Sequence, residues 1–306
     1  MTVVNQHKGF TLVELMIALA LSLILLAGVI GVFISNQNTA RATTDLSNLQ
    51  NSTRLAFQLL SQDIRSAGFS GCNNATRDVS LIQVAGVTPA WADWIGGLQG
   101  FAADANGNES IRLMYGTGTS SSVVTHAPPV FTLSAAPALQ AGDIALVCDD
   151  TLTSIFQVSA VGATNLSHAV AGTMNCSADL GIIGDPFVCA APRPKLFGAD
   201  SMILRLESVR WFVGPGIRNN AIRSLFRETV IGGQVVAEEV LAGVASLTFQ
   251  YSGQPFALVP FSAALNMGNM VAVNVNIVLD QAAFPNIQLA AEQRTITFLA
   301  AVRNRL

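Results

Sequence analysis

The chain has 306 residues, 51% of them apolar and 11% charged, with 16 Lys and Arg against 19 Asp and Glu. A formal net charge of −3 provides no global attraction to nucleic acid, and enough apolar content remains beyond residue 70 to build a sizeable core. Three histidines, His7, His126 and His168, without an H-E-x-x-H, G-x-S-x-G or P-loop pattern, point away from an enzyme and from any cofactor or metal.

The first element is a helix suited to lipid. Lys8-Gly9-Phe10-Thr11-Leu12-Val13-Glu14 runs into apolar residues as far as Ile34, and from Leu15 onward the segment has no charge and Ser22 as its sole hydroxyl. As an α-helix these twenty residues span ~30 Å, the thickness of a bilayer's hydrocarbon core. Glu14 at the mouth of this span is a carboxylate held near the membrane at a cost, and such a group normally has a partner and a purpose. Lys8 keeps the N-terminus cytoplasmic and the bulk of the chain exported. A cleaved secretory signal is a poorer reading, because the apolar run is too long and no small-x-small site follows near Ile34. A plain signal anchor, with Thr11-x-x-Glu14 as a capping box, explains Glu14 but not the preceding Gly-Phe. Gly28 and Gly31 suit a bend, close packing, or ordinary membrane-helix glycines alike.

Helical periodicity continues in polar text from Asn36 to Ala67. Leu46, Leu49, Thr53, Ala56, Leu60 and Ile64 recur three and four apart and form one stripe. Leu55, Phe57 and Leu59 are expected to broaden it where a sheet wraps the helix, and Gly68 and Gly71 to stop it. The stripe lasts under four heptads and lacks orderly flanking charges, which favours packing on a sheet over a coiled-coil stalk.

The remainder reads as β. Strands are expected at Ile111 to Tyr115, Asp143 to Cys148, Ile155 to Val161, Met202 to Val213, Ala221 to Arg227, Val244 to Tyr251, Val271 to Leu279 and Thr295 to Val302. The linker Gly214-Pro215-Gly216-Ile217-Arg218-Asn219-Asn220 is a hairpin turn by its chemistry. Alternating Val271, Val273, Val275 and Ile277 bury one face and leave Asn274 and Asn276 solvated. Residues 71–108 and 163–194 are Gly-, Asn- and Pro-rich and are expected to be long loops or insertions, the second stapled by its disulfide. No internal repeat is evident.

Four cysteines, Cys72, Cys148, Cys176 and Cys189, all follow the span, on the side where disulfides persist. They allow three pairings. Cys176 with Cys189, closing a short loop, and Cys72 with Cys148 by remainder is the favoured one. Absence of any C-x-x-C spacing weighs against a four-cysteine zinc site.

Other candidates are weaker. Gly116-Thr117-Gly118 is expected to be a turn rather than a phosphate cradle. Asp104-x-Asn106-x-Asn108 begins like a calcium loop, but Glu109 stands where Gly is needed and Tyr115 where a bidentate Glu belongs, so an Asn-Gly turn is expected. Arg193, Lys195, Arg205, Arg210, Arg218, Arg223 and Arg227 make a locally basic stretch, read as a solvated face, with a DNA-uptake or partner-binding patch as the alternative.

At Lys8 to Glu14 the chain resembles type IV prepilins and pseudopilins. The resemblance implies a leader, residues 1–9, cut by a prepilin peptidase between Gly9 and Phe10. It implies N-methylation of Phe10, with Glu14 as the fifth mature residue acting in assembly. Loss of Lys8 moves the formal charge from −3 to −4. Residues 10–35 are then the transmembrane and assembly half of the helix, 36–68 its amphipathic half, and 69–306 an exported β-rich domain.

Asp63-Ile64-Arg65-x-Ala67-Gly68-Phe69-x-Gly71-Cys72, Val209-x-Trp211-Phe212-Val213, Ser224-Leu225-Phe226-Arg227 and Ala301-Val302-Arg303-Asn304-Arg305 resemble PilW-type minor pilins more softly. That resemblance implies an α+β type IV pilin fold, a long helix on an antiparallel sheet. It also implies a minor pilin that primes pilus assembly and sits at the tip, in adhesion and twitching motility. Its partners would be other minor pilins, the major pilin, a tip adhesin and inner-membrane lipid, and its place the inner membrane and then the fibre. A J-type pseudopilin of type II secretion, and a membrane-anchored periplasmic adhesin or enzyme outside any fibre, are the alternatives.

Overall fold

The structure, a computed structural model, describes residues 11–72, 77–181, 189 and 193–305. The chain divides into two compact units, Met1–Asn51 with Phe284–Gln288, and Ser52–Ala283 with Leu289–Leu306.

In the first unit the backbone is the helix α1, which runs Leu12–Ser66 and continues into the second. No proline interrupts it, and α1 stays helical across Gly28 and Gly31, neither of which has a neighbour within 4 Å of a would-be Cβ. Every residue from Thr11 to Arg41 is exposed. Hydroxyls inside the helix are satisfied locally: Ser22 Oγ donates to the Ala18 carbonyl at 2.7 Å, and Thr39 and Thr43 likewise reach back one turn.

The second unit is mostly antiparallel sheet. Its strands are β1 (Arg77–Ser80), β2 (Leu98–Phe101), β3 (Ser110–Ala127), β4 (Val130–Leu133), β5 (Ile144–Cys148), β6 (Leu152–Gln157), β7 (Ala160–Val161) and β8 (Asn165–Ser167). There follow β9 (Met202–Pro215), β10 (Arg223–Ile231), β11 (Gln234–Ala242), β12 (Val244–Ser252), β13 (Val259–Pro260), β14 (Ala272–Leu279) and β15 (Thr295–Ala301). The larger sheet runs β1-β6-β5-β9-β3-β4-β8-β7, with β10 and then β11 added beside β9, and β2 beside β3. A smaller sheet runs β13-β12-β14-β15. Among the described residues the β1–β6 pair is parallel, and the other strand pairs are antiparallel.

The helix meets the larger sheet along its stripe. Ala56, Leu60, Ile64 and Ala67 are all buried, each one turn from the last, as one-sided packing requires. Leu55 and Phe57 do not broaden this face. They are 48% and 39% exposed, because each lies about 100° around the helix from Ala56, on opposite flanks. Phe57 still meets Phe298 of β15 edge-on, with ring centroids 4.8 Å apart.

Several elements differ from the sequence expectation. Gly116-Thr117-Gly118 lies within β3 and is not a turn. The register against β9 shifts between Thr117 and Ser121, and Gly118 takes φ +83 there, as an unpaired bulge demands. The stretch 71–108 is not one loop: it holds β1, β2 and two 3-10 turns that bury Trp91 and Trp94. The stretch 163–194 contributes β8. β11 carries too little alternation to announce itself, since its exposed Val235 and Val236 are adjacent in sequence. The expected β9–β10 hairpin forms, with Pro215 opposite Arg223. In β14, Val273, Val275 and Ile277 are buried and Asn274 and Asn276 alternate with them.

Candidate functional site at the N-terminal helix

At the helix start, Gly9 and Phe10 lie outside the described residues. The next residues form a reciprocal cap. The Thr11 N–H and Oγ1 both donate to Glu14 Oε2 at 3.0 Å, and the Glu14 N–H donates to Thr11 Oγ1 at 3.2 Å. This is the capping box that Thr11-x-x-Glu14 encodes, and it satisfies donors that a helix start leaves free. Glu14 Oε1 has no donor among the described residues, so the carboxylate keeps acceptor capacity for another group. On either side of it, Leu12, Leu15, Ile24, Leu25 and Phe33 all project from the helix uncovered. Among the described residues α1 is the one helix long and apolar enough to cross a membrane, with a mean hydropathy of 2.9 over its most apolar window.

At the other end the helix is fixed to its sheet by a buried carboxylate. Asp63 is 2% exposed. Its Oδ1 accepts from Tyr115 Oη at 2.7 Å and Arg227 Nη2 at 3.1 Å. Its Oδ2 accepts from Trp211 Nε1 at 2.8 Å and Arg227 Nε at 3.0 Å. A two-pronged guanidinium bond of this kind is strong and fixes orientation as well as distance. Tyr115, Trp211 and Arg227 come from β3, β9 and β10, so one side chain of α1 joins three strands. Burial alone would lower the Arg227 guanidinium, but the Asp63 carboxylate holds it above its ordinary value. Burial, and then the Asp63 charge, push the Tyr115 phenol up. Glu207, 3.6 Å from Arg227, is raised by its own burial.

The end of α1 is capped from the far end of the sequence. Asn304 Nδ2 donates to the Ser66 and Ala67 carbonyls, both at 3.4 Å. Gly68 turns the chain at φ +78 and donates to the Met114 carbonyl at 2.9 Å. Arg305 binds the carbonyls of Gly96, Met267 and Met270, and burial lowers its guanidinium to about 10. At Gly71 (φ +90) a Cβ would stand 2.6 Å from Leu204 Cδ1. Cys72 then bonds Cys148 of β5, Cα–Cα 5.9 Å, and Cys176 bonds Cys189, Cα–Cα 5.8 Å.

The basic stretch is only in part a solvated face: Arg193, Arg205 and Arg218 are exposed, and the other four cations are partly buried. Arg227 is committed to Asp63, Arg205 pairs with Asp143 at 2.9 Å, Arg223 with Asp104 at 3.0 Å, and Lys195 with Asp149. Arg210 lies over Phe212, 5.1 Å from the ring centre. Opposite charges from neighbouring loops neutralise cations that alternate along the strands. Asp104 accepts the N–H groups of Asn106 and Asn108 at 2.8 and 2.9 Å, an Asx turn, and the Asn108 bond first among several holds its carboxyl at about 2.

Sequence reasoning missed the Asp63 cluster, although Asp63, Trp211 and Arg227 all stand in the segments that carried the softer resemblance. One signal was present: Asp63 adjoins Ile64 and lies three residues from Leu60, which puts an acid on the apolar stripe.

Comparison with known proteins agrees with this geometry. Residues 4–30 match the prokaryotic N-terminal methylation motif. The N-terminal part of the chain is type IV pilin-like. It is similar to Pilin-like protein PilA3 of Thermus thermophilus, 34% identical over 73 residues, which cover 24% of this chain and 31% of that protein. No solved structure matches it. A prepilin-type N-terminus, a long apolar helix and a largely antiparallel β domain together resemble a pilin or pseudopilin.

Proposed function

We propose that the chain is a minor pilin of a type IV pilus, one that primes assembly and forms part of the tip. The observation that carries this reading is the methylation motif at residues 4–30 leading into an uncovered apolar helix with Glu14 at its mouth. A prepilin peptidase cuts between Gly9 and Phe10 and frees an amine that can be a cation. Before assembly the helix holds the subunit in the inner membrane with its β domain in the periplasm. In the fibre a neighbouring subunit's amine meets Glu14, and pairing offsets the expense of a carboxylate in an apolar bundle. Glu14 therefore sets axial register, while Leu15 to Ile34 supply packing. The larger size of the β domain and the PilW-like segments around Asp63 and Trp211 support the minor over the major role.

Two experiments test this. Intact mass of the native protein is expected to show loss of Met1 to Gly9 and a methyl group on Phe10; retention of the leader in cells with working peptidase overturns the reading. A deletion strain is expected to lose surface fibres and twitching. Loss of exported enzymes with fibres intact would assign the chain to a secretion pseudopilus instead.

A further inference from the structure

His126, near the end of β3, and His168, just past β8, are buried side by side in an aromatic box. Their Nε2 atoms lie 2.9 Å apart, and the Phe197 N–H donates to His126 Nδ1 at 3.3 Å. Phe131 of β4 stacks on His126 with ring centroids 4.0 Å apart, and Phe156 of β6 stands 5.5 Å from His168. His168 is fully buried and His126 is 9% exposed.

Two contacts assign every proton. A backbone N–H can only donate, so His126 Nδ1 must present its lone pair. The neutral ring then carries its proton on Nε2 and gives it to His168 Nε2. His168 must hold its own proton on Nδ1, and that atom has no hydrogen-bond partner among the described residues. Any added proton sets N–H against N–H, either at Phe197 or between the two rings. Among the described residues no carboxylate acts on either ring, and a hydrogen bond with the backbone of His168 itself is the one contact that favours a proton there. From Ser121 to Ala127 in β3, and throughout β4, β6, β7 and β8, His126 is the sole titratable side chain. Lys195, on the Phe197 side, lies 5.3 Å over the Phe197 ring and is paired with Asp149. Burial accordingly holds His126 at about 4 and His168 at about 3, the latter also through His126.

The pair sits where one edge of the larger sheet is joined to the rest. β4, β8 and β7 continue from β3 beyond its register shift, and Asn175 Nδ2 ties the His168 carbonyl to that of Gln157 in β6. We propose that the His126–His168 pair is a proton-sensitive latch, closed while both rings are neutral and releasing the β4–β8–β7 edge when the pair takes up a proton. The latch is independent of the assembly reading. Once freed, each ring returns to the ordinary histidine value near 6.5, so acidification from pH 7.5 to 4.5 favours opening by roughly a hundredfold per ring.

The test is hydrogen–deuterium exchange of the full chain in detergent at pH 7.5 and 4.5, corrected for intrinsic exchange. Segments 121–133 and 160–168 are expected to lose protection by roughly a hundredfold or more, while β12 and β14 keep theirs. The variant with both His126→Phe and His168→Phe, which keeps the box aromatic, is expected to hold protection at both pH values. Unchanged protection in the wild type, or equal acid loss in the variant, overturns the latch. If the variant does not fold, histidine 15N spectra of the wild type at pH 6 decide. Neutral rings, protonated on Nε2 at His126 and on Nδ1 at His168, support the latch; a cationic ring or the opposite tautomers overturn it.

Discussion

Arg227 of β10 grips Asp63 of α1 through two hydrogen bonds, Nε to Oδ2 at 3.0 Å and Nη2 to Oδ1 at 3.1 Å, across 164 positions of sequence. The contact fixes both the rotation of the helix and its axial position on the sheet, because Tyr115 and Trp211 bind the same two oxygens from other strands.

Removing the Asp63 charge leaves the half-buried Arg227 guanidinium without its two-pronged partner, with Glu207 at 3.6 Å as the remaining acid. Asp63→Asn is expected to destabilise the domain by about 3–5 kcal/mol. Arg227→Lys, which keeps the charge but loses the fork, is expected to cause a smaller loss. Urea unfolding of the full chain in detergent measures both, and equal midpoints for wild type and Asp63→Asn would contradict the assignment.

Mutation can separate the capping role of Glu14 from its proposed role in assembly. As a cap it is matched by Thr11, so Thr11→Ala should weaken the first turn by about 0.5–2 kcal/mol, and Glu14→Ala should weaken it in the same direction. In the proposed assembly role it would act through charge. Glu14→Gln, which preserves a capping box, is expected to insert in the membrane normally and fail to enter fibres, while Thr11→Ala still assembles. Fractionation and immunolabelling of sheared fibres distinguish them; normal incorporation of Glu14→Gln would remove the registry argument.

Loop length ranks the two disulfides. Cys72–Cys148 closes a separation of 76 residues and Cys176–Cys189 one of 13. Chain-entropy reasoning assigns them about 4.5 and about 3 kcal/mol. Replacing each pair with alanine should therefore lower the denaturation midpoint more for the first pair, as thermal scans at neutral pH can read.

Arg305 serves three carbonyls near the end of α1 rather than an acid. Arg305→Ala should leave the Gly96, Met267 and Met270 carbonyls short of donors and lower stability by about 2–3 kcal/mol. Protection of the Gly68 and Gly97 amides in hydrogen exchange is expected to fall with it; an unaffected pattern would show that the cap stands without Arg305.

Much of this molecule was legible in residue order because its cues are local. The apolar run to Ile34, the capping box at Thr11 and Glu14, the stripe through Ala56, Leu60 and Ile64, and the alternation of β14 each follow from spacing along one segment. The turn at 214–220 was legible for the same reason, since Gly and Asn there have few alternatives. The reverse holds where meaning depends on what lies opposite. Gly116 to Gly118 reads as a turn until β9 imposes a register shift, and the arginines of β9 and β10 read as solvated until Asp143, Asp104 and Asp63 arrive from elsewhere.

Sequence alone therefore determined the anchor, the N-terminal motif and the amphipathic character of the helix, since these rest on hydrophobicity and period within a few turns. Tertiary structure alone decided that Asp63 is the joint between helix and sheet, and that His126 and His168 face each other. Both depend on burial and on partners separated by dozens of residues. A carboxylate or an imidazole acquires its role only when folding removes it from water and sets what it must bond.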